Sequence, residues 1–309
     1  MQNEAALLYP SGRQFEIHHG DWRAVITEAG AGLRVLEVNG RALLDTYGED
    51  EIARSSRGQV LIPWPNRIDH GTYTFNGVVG QLPINEVSKQ NAIHGLTRWM
   101  NWRPVLHEAN RLVMSLTLLA QQGYPFVLSL EQTYTLTPDG LEVTTRARNS
   151  SRRPLPFGVG HHPYFAVSAD SVDPCLLHVP AQSYFRTNER MIPVLPPVSV
   201  ESTPFDFHTA RPIGDTVMDT CFTDLIPDAD GLTRVKLAAP GDPAITVFMD
   251  DTIQYIQVFT GDTLAPRAKR RSVAIEPCTC APDAFNNALG LRILQPGETF
   301  SSLWGVHSN

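Results

Sequence analysis

The chain has 309 residues, of which 42% are hydrophobic and 18% are charged, and its formal net charge at pH 7 is −7. A chain of this length and composition can bury a large core, which excludes an intrinsically disordered protein. The negative charge argues against nucleic acid and against an anionic membrane as partners.

The start of the sequence has no basic segment followed by a long apolar one, and no run of 18 apolar residues follows that could span a bilayer. The four cysteines are Cys175, Cys221, Cys278 and Cys280. The Cys-Thr-Cys spacing is too short for a usual zinc pair, and no second pair completes a set of ligands. We therefore expect a cytoplasmic protein with reduced thiols and no bound metal. The sequence leaves open whether it is a monomer or a homodimer.

Strand-like segments follow one another along the chain, at residues 23–38, 112–118, 128–136 and 235–257. In residues 128–136 apolar side chains alternate with Ser, Glu and Thr, a Thr-Pro-Asp-Gly turn follows, and alternation resumes at Leu141. This pattern predicts a hairpin with one buried face. Amphipathic helices are nearly absent, and the 24 prolines and 22 glycines mark many loops. The sequence predicts an all-β protein, one large antiparallel β-sandwich that forms a single domain over residues 1–309.

Two short motifs in the first third of the chain contain polar side chains in restricted positions. Pro-Asn-Arg-Ile at residues 65–68 places Asn66 and Arg67 in a proline-rich bend, and Asn-Ala-Ile-His-Gly at residues 91–95 places His94 between small and apolar residues. Taken alone, such an arginine is more typical of a surface and such a histidine of a core. Neither motif identifies a site by itself.

The most informative segments put proton-transfer groups where a β-protein normally puts core. Gly-His-His-Pro-Tyr-Phe at residues 160–165 places His161 and His162 in an apolar run, and Glu276 ends a short apolar stretch. Burying a carboxylate is costly unless it is hydrogen-bonded or functional, and a histidine can give or take a proton near neutral pH. Together they indicate an acid–base enzyme that needs neither a covalent nucleophile nor a cofactor.

Two further segments have both an ordinary and a functional interpretation. Asp219, in Asp-Thr-Cys-Phe at residues 219–222, could cap a turn or bind a ligand. A basic run just before Glu276 could be a solvated loop or a clamp for an anionic substituent of a sugar; its members are Arg267, Lys269, Arg270 and Arg271.

The order of these motifs resembles that of the aldose 1-epimerases, or galactose mutarotases. Six motifs carry the resemblance, namely the five described above that contain Arg67, His94, His162, Asp219 and Glu276, and Thr-Pro-Phe-Asp-Phe at residues 203–207. The resemblance runs from about residue 20 to the C-terminus. The resemblance implies the galactose mutarotase-like supersandwich, with a sugar bound in an open cleft on one sheet. That expectation agrees with the antiparallel sandwich predicted from alternation.

Matched residue by residue, the resemblance implies that Glu276 is the catalytic base and His162 the catalytic acid, with His94 in support. It implies that Arg67, with its neighbour Asn66, and Asp219 bind the sugar. Glu276 is followed by Pro-Cys-Thr-Cys rather than by a glutamine-containing stretch, and the glycines that usually surround the aspartate are missing. These departures are typical of a divergent subgroup and leave the preferred sugar open.

The implied reaction explains the residue types. A pyranose exchanges its anomers by opening to the aldehyde, which requires one proton to leave the C1 hydroxyl and another to reach the ring oxygen. Three alternatives remain open: a mutarotase for hexose 6-phosphates or other anionic sugars, a non-catalytic sugar-binding protein, and a metal-dependent isomerase. The last would use His94, His161, His162 and Glu276 as ligands, but adjacent residues of a strand point to opposite faces.

Overall fold

The computed structural model describes residues 8–308, in which nearly all regular structure is β-strand. A short 3₁₀ turn, Arg54–Ser56, lies between the fourth and fifth strands. The strands of the first half are β1 Gln14–His19, β2 Trp22–Thr27, β3 Leu33–Val38, β4 Arg41–Ala42, β5 Val60–Leu61, β6 Arg67–Asp69, β7 Thr72–Phe75, β8 Val78–Gln81, β9 Asn91–Ile93, β10 Arg103–His107, β11 Arg111–Leu118, β12 Leu128–Thr137 and β13 Gly140–Asn149.

The second half continues in the same way and contains one short helix, α1 Ala284–Asn287. Its strands are β14 Leu155–Phe157, β15 Gly160–His161, β16 Tyr164–Ala166, β17 Leu176–His178, β18 Ala181–Thr187, β19 Pro193–Ser199, β20 Arg211–Pro212, β21 Asp219–Leu225, β22 Thr233–Ala238, β23 Ile245–Met249, β24 Tyr255–Phe259, β25 Ser272–Cys278, β26 Arg292–Leu294 and β27 Thr299–Ser308. Within residues 8–308 no helix is long and apolar enough to cross a membrane.

The larger of the two main sheets, which we call the long-strand sheet, has nine strands in the order β10-β11-β12-β13-β27-β23-β22-β17-β20. Strands β12 and β13 pair antiparallel from Leu128 opposite Asn149 to Thr137 opposite Gly140. The hairpin predicted from alternation is therefore confirmed. One face of this pair is buried throughout, because every second side chain points into the core. Most of these side chains are apolar, and Gln132, Thr145 and Asn149 are buried polar ones.

The second main sheet, which we call the cleft sheet, has eight strands in the order β19-β18-β21-β24-β25-β15-β5, with β16 also paired to β25. Every residue of β25 is buried. Val273 and Ile275 join the main hydrophobic core, which also contains Leu130 and Val143 of the long-strand sheet. A single core thus connects the two sheets, and the predicted antiparallel β-sandwich is confirmed.

The two catalytic candidates lie on β25 and beside it. The apolar stretch that ends at Glu276 belongs to a longer strand, because β25 continues to Cys278, which pairs with Gly160 and with Tyr255. His162 lies in a break between β15 and β16, beside Pro163, because proline cannot donate to the ladder. Both candidates therefore stand within the cleft sheet.

Candidate active site

The loop that precedes β6 and the loop that follows β9 hold Asn66 and His94 against each other. Both residues have left-handed backbones, with φ values of 55° and 63°, a strained state that is typical of functional sites. The Asn66 N–H donates to His94 Nδ1 at 3.2 Å, and the His94 N–H donates to the Asn66 carbonyl at 2.9 Å. Gly95 must be glycine, since its φ is 67° and a Cβ there would collide with the carbonyl of Ile62.

This arrangement fixes the chemistry of the His94 ring. Its Nδ1 accepts a hydrogen bond, so the neutral ring carries its proton on Nε2. Burial lowers the pKa of His94 well below its ordinary value, and the charges of His162, Arg98 and Arg67 act in the same direction. His94 is therefore a neutral hydrogen-bond donor at neutral pH.

Glu276 and His162 form the central pair of the site. Strand β25 brings Glu276 opposite Gln257 of β24, and His162 Nε2 lies 3.4 Å from Glu276 Oε1. Both side chains are almost completely buried, with relative exposures of 3% for Glu276 and 7% for His162. Direct proton transfer takes place over about 2.6 to 3.2 Å, and the slightly longer contacts of ligand-free sites commonly shorten when a ligand binds.

Burial decides where the proton of this pair rests. It raises the pKa of Glu276 well above its ordinary value, an effect to which Asp219 adds and which Arg67 opposes. Burial also lowers the pKa of His162 to about 3. The sequence could not settle this balance; the structure favours the neutral pair, with the proton on Glu276, when no ligand is bound.

Aromatic and cationic groups fix the plane of the His162 ring. Tyr164 stacks on it with ring centroids 5.0 Å apart and an angle of 8°, and His94 meets it edge-on at 5.2 Å. The guanidinium of Arg57 lies 4.3 Å from the centroid of the Tyr164 ring and pairs with Asp45 at 2.9 Å. The ring of the acid candidate is therefore held by stacking on Tyr164 and by an edge-on contact with His94.

The guanidinium of Arg67 is held by two acidic side chains. Its Nε and Nη2 donate to both oxygens of Glu86 at 2.9 to 3.2 Å, and Nη2 lies 3.8 Å from Asp219. Gln257 Nε2 donates to the other oxygen of Asp219 at 2.5 Å. Nη1 of Arg67 has no partner among residues 8–308, so it is the nitrogen that remains to bind a ligand.

One cleft of about 380 Å³ contains the catalytic candidates together with Arg67 and Asp219. Each site residue named from the sequence lines it: Asn66, Arg67, His94, His162, Asp219 and Glu276. The cleft is also lined by side chains that the sequence did not single out, among them Glu86, Arg98 and Tyr164. A volume of this size lies within the range of small-molecule sites.

His161 lies outside this cleft. Its Nε2 is 3.2 Å from Thr145 Oγ1 in the long-strand sheet, and its ring is 5.1 Å from that of Trp304. It therefore points into the core while His162 points into the cleft. The ligand set considered for a metal-dependent isomerase is not brought together, and within the described chain no three His, Cys, Asp or Glu side chains are arranged to hold a metal ion.

The basic run does not reach the cleft either. Arg270 pairs with Asp173 at 2.8 Å and with Asp262 at 2.9 Å, which makes it a structural tie between loops. Arg267 and Arg271 line a neighbouring cavity of about 830 Å³. The clamp considered for residues 267–271 is therefore not part of the site that contains Glu276.

Glu86 and Arg98 are the polar groups that motif reading missed. Glu86 stands in a loop, and its contact with Arg67 depends on the pairing of β6 with β9. Arg98 follows His94 by four positions, in the same loop. Proximity to the histidine motif was the one signal in the sequence that could have identified Arg98.

Comparison with known proteins identifies the same architecture. A family model described as aldose 1-epimerase matches residues 13–304. The protein YihR of Escherichia coli (strain K12) is 32% identical over 301 residues, which cover 97% of this chain and 94% of that protein. Human galactose mutarotase is 26% identical over 326 residues, covering 94% and 93% of the two chains.

Solved structures agree at the level of the fold. The GalM/aldose epimerase homologue from C. elegans superposes with a TM-score of 0.85 at 19% identity, covering 96% of this chain and 98% of that one. Galactose 1-epimerase from Lactobacillus acidophilus NCFM gives a TM-score of 0.77 at 18% identity, covering 94% and 92%. The cleft described above thus lies on a fold that these proteins share.

Proposed function

The chain belongs to the aldose 1-epimerase family, and on that premise we propose that it is a mutarotase, which interconverts the α and β anomers of an aldohexose by acid–base ring opening. The observation that carries this proposal is the 3.4 Å contact between Glu276 and His162 inside a sugar-sized cleft. We also propose that the reaction takes place in the cytoplasm, as the cysteine content leads us to expect.

The reaction begins with a proton transfer inside the pair. Moving the proton from Glu276 to His162 leaves the net charge of the pair unchanged, so hydroxyl groups of the bound sugar that donate to the carboxylate can favour the ionic form. The carboxylate then removes the proton of the C1 hydroxyl, and the imidazolium protonates the ring oxygen as the bond from C1 to that oxygen breaks.

Ring opening returns the pair to its neutral form, which burial favours in the free protein. After rotation about the C1–C2 bond, Glu276 gives its proton to the aldehyde oxygen while His162 takes the proton of the C5 hydroxyl. The ring closes on the other face and leaves the ionic pair. Return of the proton from His162 to Glu276 restores the neutral pair, so every proton is accounted for. No electrons are exchanged with a cofactor in this sequence.

Two neighbours stabilise charge during these steps. His94, a donor through Nε2, is placed edge-on to His162 and can hydrogen-bond the ring oxygen as negative charge develops on it. Arg67 Nη1 and Asp219 are placed to bind sugar hydroxyls, and Glu86 keeps the guanidinium oriented. This division of roles agrees with the burial of each group.

Polarimetry on freshly dissolved α-glucose and α-galactose tests the proposal. We expect the purified protein to accelerate the approach to the anomeric equilibrium without added metal or nucleotide, and to keep that activity after prolonged chelation. Loss of activity on chelation would favour a metal-dependent isomerase. Absence of acceleration with neutral, phosphorylated and sulfonated sugars alike would contradict the proposal and favour a non-catalytic sugar-binding protein.

A further inference from the structure

We propose that Arg98 and Ser56 form an anion subsite in the cleft, and that the substrate is an aldohexose with a negatively charged group on C6. This inference rests on the proposed mutarotase function and names the class of sugar that the site takes. The chemistry admits a carboxylate, a phosphate or a sulfonate at that carbon, since all three accept hydrogen bonds from a guanidinium.

Arg98 is held in place by its backbone, so its side chain is free to bind a ligand. Its carbonyl accepts a hydrogen bond from Nε2 of the buried Gln59 at 2.7 Å. The guanidinium makes one hydrogen bond, from Nη1 to the Ser56 hydroxyl at 2.9 Å. Ser55 and Ser56 both have left-handed backbones, with φ of 52° and 58°. Such strain is typical of a loop shaped for function.

Arg98 has no acidic counterion among residues 8–308, and its guanidinium lies 5.5 Å from the centroid of the Trp99 ring. Arg67 pairs with Glu86, and Arg57 pairs with Asp45. Over residues 8–308, by contrast, no carboxylate lies within 4.0 Å of Arg98, although its side chain is partly buried and desolvation lowers its pKa. Removing a cation from water without a partner is unfavourable. A bound anion would supply the missing partner.

The position of Arg98 selects the carbon that bears the charge. Arg98 lines the cleft together with His94 and His162, and its positive charge lowers the pKa of both histidines. In the proposed reaction His162 faces the ring oxygen and Glu276 faces the C1 hydroxyl. Arg98 is not among the charges that act on Glu276, which are those of Asp219 and Arg67, so it lies on the histidine side of the cleft. On that side of the ring oxygen the sugar has C5, and the exocyclic group that C5 carries is C6.

The test compares kcat/KM for glucose, glucuronate, glucose 6-phosphate and the 6-sulfonate of glucose. We expect the protein to prefer at least one of the three anionic sugars, and the preferred one identifies the anion. Arg98→Gln should lower kcat/KM for that sugar about 10- to 100-fold more than for glucose, the range expected for a hydrogen bond to a charged group. Arg98→Lys should restore part of the difference.

Arg267→Gln is the matched control, because Arg267 lines the neighbouring cavity and its loss should leave all four sugars unaffected. Equal losses for glucose and the anionic sugars in Arg98→Gln would overturn the subsite, and so would a preference that depends on Arg267. If glucose is turned over and the anionic sugars are not, this inference fails while the proposed function stands. If no sugar is turned over, both fail.

Discussion

In the long-strand sheet β12, β13 and β27 each run for ten residues, whereas β25 at the centre of the cleft sheet runs for seven and is buried on both faces. The long strands separate their side chains, with Leu141 and Val143 in the core and Glu142 and Arg146 exposed to solvent. In β25 the residues that point away from the core include Glu276. The comparison indicates that an ionisable side chain on a strand with both faces excluded from water is a candidate functional residue.

The two sheets also bury different polar groups. Both have buried side-chain atoms without a hydrogen-bond partner among the described residues, such as Gln132 Nε2 and Ser302 Oγ in the long-strand sheet and His162 Nδ1 at the cleft. Such atoms are destabilising. The cleft sheet in addition buries the carboxyl group of Glu276, and burying an ionisable group costs more free energy than burying a neutral one.

The largest expected effect is the loss of turnover in Glu276→Gln, which keeps the shape of the side chain and removes its basicity. A positioned base contributes roughly 10² to 10⁴ in rate, or about 2.7 to 5.4 kcal/mol of barrier. Sugar affinity should change much less, since the amide can still hydrogen-bond a hydroxyl. Turnover by polarimetry and thermal melting of the same variant provide the measurement.

Leu141→Ala in the long-strand sheet is the matched control for that variant. Leu141 is completely buried, so the substitution should lower the free energy of unfolding by about 2 to 5 kcal/mol while the folded protein keeps its turnover. Near-normal turnover in Glu276→Gln with a lowered melting temperature would instead make Glu276 a structural residue.

The two adjacent histidines allow the same comparison within one segment. His162→Asn should lower turnover by about 10²-fold, the lower end of the range for an acid–base group, because His94 still donates to the ring oxygen. His161→Asn should leave turnover nearly intact and lower stability by about 1 to 3 kcal/mol, since it disturbs the buried contact with Thr145. A larger loss of turnover in a folded His161→Asn would reverse the assignment of the acid.

The sequence could predict the hairpin of β12 and β13, because alternation of apolar and polar side chains is typical of strands with one face in the core and the other in solvent. The resemblance located the side chains that line the cleft, but it could not give the protonation of Glu276 and His162, which depends on burial. Glu86 and Arg98 were missed for a related reason. Whether an arginine has a counterion depends on distances between residues that are far apart in the sequence. The side chains of the basic run at residues 267–271 point to different parts of the folded protein, since Arg270 pairs with Asp173 while Arg267 and Arg271 line a cavity.

The smallest expected effect is a pH dependence of stability that belongs to the cleft sheet. The pKa of Glu276 is raised by burial, so above the unfolded value of about 4.3 the native state binds more protons than the unfolded state. Stability attributable to this group is therefore fully present below that pH and is lost as the pH rises through the folded pKa, by at most about 1.4 kcal/mol per pH unit.

Chemical unfolding of the wild type and Glu276→Gln between pH 4.5 and 8 measures this contribution, because both proteins retain His162 and differ in Glu276 alone. The stability of the variant relative to the wild type should increase with pH. Glu142→Gln, at an exposed position of the long-strand sheet, should show no such trend, since its side chain is in water whether the protein is folded or not. If the stability of Glu276→Gln relative to the wild type instead decreases as the pH rises, the ionised carboxylate is stabilised in the folded protein. The proton of the pair would then rest on His162.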